Sequence, residues 1–82
     1  MDKEPAPTFE EYKELVKQHL KSLLFRLSDR ELTEYIESED SIFEIKNSYN
    51  TAVEKYKTGE ITYRVFTVGC VSSVTYCLYM MY

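Results

Sequence analysis

Residues 65–82, VFTVGCVSSVTYCLYMMY, run eighteen positions without a charge in a chain where 29% of residues are Asp, Glu, Lys or Arg. Such a segment is driven out of water by its own chain, by a partner or by a lipid bilayer. Eighteen residues at about 1.5 Å each lie at the short end of what crosses a ~30 Å hydrocarbon layer, so length alone permits an anchor. Composition argues against one: Thr67, Ser72, Ser73 and Thr75 dilute the apolar character, only one Leu is present, and no Lys or Arg follows the segment. Membrane insertion is therefore disfavoured, and the segment is expected inside a bundle of helices.

The residues upstream supply those helices. Thr8 with Glu11 has the form of a capping box, and Phe9, Tyr12, Val16, Leu20, Leu23 and Leu27 then recur at steps of three and four, with Leu15 and Leu24 widening the stripe. Ser28 with Glu31 opens a second helix anchored by Leu32, Tyr35 and Ile36. Ser41 with Glu44 reads as a third box, followed by Ile42, Ile45, Tyr49, Ala52, Val53 and Tyr56 and a stop at Gly59. Thr62 is then the next N-cap. Helices are predicted at about 8–27, 28–38, 41–58 and 62–81, each of the first three with an apolar stripe that needs cover.

The identity of the last segment is the weak joint. Val, Thr, Cys, Ser and Tyr favour strands, and Val68-Gly69-Cys70-Val71 could turn a hairpin, giving an α+β alternative. No other strand-like run is present to pair with it, and a lone two-stranded sheet is marginal. The fold class expected is all-α: a small irregular bundle of three to four helices around an apolar, central C-terminal helix. Gly69, Ser73 and Cys77, four apart, would let neighbouring helices approach closely. Eighty-two residues suit one domain, expected over 8–82 behind a disordered lead-in at 1–7 that carries both prolines.

Charge and cysteine usage narrow the functional classes. A net charge of -4 and the lack of any basic run leave nothing to neutralise a phosphate backbone, so nucleic acid is not an expected partner. Cys70 and Cys77 lie two helical turns apart, too far to bridge, and are expected as small buried side chains in a reducing cytoplasm. The opening MDKEPAPTFEEY lacks the apolar core of a secretory signal, which also makes cytoplasm the expected compartment.

For catalysis the chain offers little. His19 stands alone, without an HExxH or CxxC pattern, and is expected to be structural. Gly59 and Gly69 are isolated, so no phosphate-cradling loop exists, and neither cofactor nor metal is expected. The pairs Glu34 with Glu37 and Glu39 with Asp40 belong to a stretch, 29–44, that holds seven acids and one base. That stretch reads as a solvated face, or as a surface that attracts a basic partner or imitates phosphates for a DNA-binding protein. The expected function is non-enzymatic: an interaction, accessory or regulatory module that binds an unknown protein or itself. Tyr76, Tyr79, Met80, Met81 and Tyr82 are the first candidate contacts, with Glu34, Glu37, Glu39 and Asp40 as the second set. A tail-anchored membrane protein and an acidic nucleic-acid mimic are the alternatives.

Overall fold

The computed structural model describes residues 4–82, and among them every regular element is helical. Helix α1 spans Phe9–Leu23, α2 Asp29–Ile36, α3 Glu39–Lys57 and α4 Val71–Met81; a π-helical stretch, Val65–Cys70, leads directly into α4. The last segment is thus a helix, and the hairpin alternative falls.

Local chemistry accounts for most boundaries. The Glu11 N–H donates to Thr8 Oγ1 (3.2 Å) while the Thr8 N–H donates to Glu11 Oε1 (2.8 Å), and Ser28 and Glu31 repeat the exchange at 3.2 and 3.1 Å. Helix α1 stops at Leu23, four residues short of the predicted end, because the chain turns over Leu24–Leu27 to send α2 back along α1. The antiparallel return is marked by Lys21 against Asp29 (2.9 Å) and Lys13 against Glu37 (3.1 Å). Leu24 and Leu27 still reach the core, from the turn.

The third capping box does not form. Ser41 lies inside α3 and is buried, the N-cap is Ser38, and Ser38 Oγ donates to the Tyr35 carbonyl (2.7 Å) as α2 ends. Starting α3 at Glu39 puts two acids in its first turn, where the helix dipole favours them. At the other end Gly59 has φ +82°, and the N–H groups of Glu60 and Gly59 donate to the carbonyls of Lys55 (2.9 Å) and Tyr56 (3.2 Å), which is a Schellman stop. Thr62 Oγ1 then accepts from the Val65 N–H (3.2 Å), the predicted cap.

The π stretch has a packing cause. Phe66 and Val71 are both buried, yet five residues apart they would point about 140° from one another in a regular α-helix. One wider turn, closed at five residues, brings both to the same side. Phe66 thereby enters an aromatic cluster, with ring centroids 5.7 Å from Tyr12, 6.1 Å from Tyr49 and 5.6 Å from Tyr56.

Buried Val16, Leu20, Leu32, Ile45 and Leu78 continue the core toward the other end, where the Tyr35 hydroxyl donates to the Leu78 carbonyl (2.7 Å). The lead-in, expected to be disordered over 1–7, is described from Glu4 onward. There Pro7 is buried, and the hydroxyls of Tyr49 and Tyr56 donate to the carbonyls of Pro7 and Glu4. Residues 1–3 lie outside the described residues.

The bundle measures 42 × 20 × 19 Å, a cross-section too narrow for rods about 10 Å thick to enclose a central one completely. Every helix in such an arrangement keeps an outward side. The last segment buries Phe66, Val71, Val74, Thr75 and Leu78 against its neighbours and leaves Val65 (44% exposed) and Val68 (49%) in solvent. Among the described residues no helix is long and apolar enough to cross a membrane.

Candidate functional site

The side chains singled out at the C-terminus are all exposed. Tyr76 (60% exposed), Met80 (66%), Tyr79, Met81 and Tyr82 all face solvent on the last turns of α4. Close to Tyr79 and Tyr82 the α1–α2 turn presents Phe25, the most exposed large apolar side chain among the described residues at 74%, with the Arg26 guanidinium 5.9 Å from its ring centroid. Leu23, Phe25, Leu27, Tyr79 and Tyr82 line an open apolar groove of about 350 Å³. Phe25 escaped the sequence reading. Its signal was available: it breaks the three-and-four spacing of the α1 stripe, so a chain that stays helical through it points it outward.

The acidic set is more dispersed. Glu37 turns toward α1 and pairs with Lys13 (3.1 Å), which also reaches Glu10 (3.3 Å); Glu34 pairs with Arg30 on its own helix (3.4 Å). Burial pulls the Lys13 ammonium's pKa down, but its two carboxylates outweigh that and leave it above the ordinary lysine value. Hydrogen bonding and attraction from Lys21 hold the Asp29 carboxyl below its usual range. Glu39 and Asp40 stand exposed in the first turn of α3. The two candidate sets approach each other at Tyr35, whose ring meets Tyr82 edge-on at 5.3 Å. Burial, together with nearby Tyr82 and Asp40, raises the Tyr35 hydroxyl's pKa despite an opposing hydrogen bond to Ser41.

A second groove of about 350 Å³ lies between α3 and α4, lined among others by Glu44, Ser48, Thr51, Lys55, Cys70 and Cys77. Both thiols are free, and Cys77 is exposed, contrary to the expectation that both are buried. Desolvation pushes the Cys70 thiol up, with Lys55 opposing it, so the protonated, weakly nucleophilic form is favoured. The expected small-residue contact face is not one within this chain: Gly69, Ser73 and Cys77 are all exposed.

His19 is exposed, and its Nε2 lies 3.0 Å from Ser72 Oγ, linking α1 to α4. The pair sits at the surface, and among the described residues no third group hydrogen-bonds the imidazole to orient it. Among the described residues no three His, Cys, Asp or Glu side chains cluster as they would around a metal ion. Comparison with protein-family models, with curated proteins and with solved structures gives no match.

Proposed function

We propose that this protein is a non-enzymatic interaction module that docks another protein surface on the apolar end of its bundle. The observation that carries the reading is the groove between the α1–α2 turn and the end of α4, where Phe25, Tyr79 and Tyr82 stand exposed around about 350 Å³. Monomeric domains rarely leave large contiguous apolar patches in water, and aromatic residues, Met and Arg are the types enriched where proteins meet. Arg26 at the rim supplies the polar anchor such surfaces use.

Site-specific photo-crosslinking tests the reading. A photoreactive phenylalanine analogue at position 25 or 79 should capture a defined protein adduct in cells, and the same group at exposed Lys46 should not. Adducts no more frequent at 25 and 79 than at 46 would sink it.

A further inference from the structure

Resting on the reading of this chain as an interaction module, we infer that the outward face of its last helix pairs two copies of the chain, antiparallel, about a two-fold axis near Ser72 and Ser73. The outward sides of α1, α2 and α3 carry charges, whereas no residue from 65 to 82 does. With Phe66, Val71, Val74 and Leu78 turned inward, the opposite side presents Val65, Val68, Tyr76, Tyr79 and Met80, all exposed, over about 20 Å of helix. Whole aromatic side chains offer about 150–250 Å², and at these exposures the face holds on the order of 600 Å² per copy, so a pair reaches the roughly 1,200 Å² that a stable interface requires.

Charge selects the face. Each copy carries -4, and residues 65–82 hold no charged side chain to oppose a second copy, unlike the charged sides of α1, α2 and α3. Shape selects the orientation. Large residues occupy both ends of the face and small ones, Gly69, Ser72 and Ser73, its middle. An antiparallel partner places its Tyr76 over Val68 and its Met80 over Val65, and the same contacts recur across the axis as an isologous interface demands.

Gly69 fits this account. Its backbone is not left-handed, and a Cβ built there would meet only Val65 Cγ1, at 3.5 Å, so the single chain has no steric need of glycine at that position. A close partner helix does.

Light scattering on the full chain tests the proposal. The expected mass is twice the 9.7 kDa of one copy, unchanged or favoured as salt rises. Gly69→Leu and Ser73→Arg should each give monomers of unaltered helicity, and Phe25→Lys should remain dimeric. With Cys70 and Cys77 replaced by Ser, a mixture of Val65→Cys and Met80→Cys chains should oxidise to a mixed disulfide dimer, while neither alone cross-links. A monomeric wild type would overturn the pairing and leave the groove reading to its own cross-linking test. A dimer that survives both helix-face variants, breaks only on Phe25→Lys, dissociates with salt, or cross-links Val65→Cys to itself would overturn it as well.

Discussion

At the scale of single residues, the tyrosine hydroxyls organise much of this small core. Tyr12 lies 2.7 Å from Ser48 Oγ, Tyr35 donates to Leu78 and Tyr49 to Pro7, so each ring fills space while its polar end is satisfied. Thr75 is the exception. Its hydroxyl is buried on α4 with no hydrogen-bond partner among the described residues, and Thr75→Val should therefore raise stability by about 1 kcal/mol, read as a higher urea midpoint with unchanged slope. A lower midpoint would show that the hydroxyl is satisfied after all. Burial pushes the Tyr12 pKa from 10.0 up to about 12, with the Ser48 hydrogen bond opposing. The folded chain thus holds that proton more tightly than the unfolded chain, and the associated stability, fully present below pH 10.0, is lost as pH rises toward about 12. Phenolate absorbance and circular dichroism followed together should show one tyrosine ionising only as the helices melt. The capping boxes at Thr8 and Ser28 were legible because they involve residues three apart; the partners of Tyr49 and Tyr35, 42 and 43 positions away, were not.

At the scale of elements, helix identity and order were readable, and the errors fell where packing overrides local signals. The third capping box failed because Ser41 was needed inside the corner between α2 and α3, where its Oγ lies 3.0 Å from Ser38 Oγ. The π stretch was invisible, since no residue type demands it; it follows from Phe66 and Val71 both entering the core. Deleting Val68, whose side chain is exposed, should convert the stretch to regular α-helix with Phe66 still inward, and cost no more than about 1 kcal/mol. Phe66→Ala should cost about 3–5 kcal/mol, much of what a domain this size possesses. Equal losses in the two variants would contradict this explanation of the wide turn. Gly59→Ala should cost about 1 kcal/mol in thermal unfolding, because φ +82° suits only a residue without a Cβ.

At the scale of the whole molecule, the narrow cross-section decides what is left for function. Three helices turn largely charged sides to water and the last segment an uncharged one, so apart from Phe43 on α3 most of the exposed large apolar side chains lie on that segment and at the nearby α1–α2 turn. If that surface pairs copies, the wild-type melting temperature should rise with protein concentration, and that of Gly69→Leu should not. The candidate site was half legible in these terms. The five C-terminal residues were named from composition, whereas Phe25 became part of the same surface only because α1 ends early and its turn comes to rest beside Tyr79 and Tyr82.

The sequence by itself determined the helical class, the order of the helices, two of the three proposed capping boxes and the stop at Gly59, because these depend on residues within one or two turns of each other. Tertiary structure alone decided where α1 ends, which way Phe66 faces, what holds the lead-in and which side of the neutral helix stays wet. Those outcomes depend on how many rods fit around one core, a quantity of volume and shape that no local pattern of residues encodes.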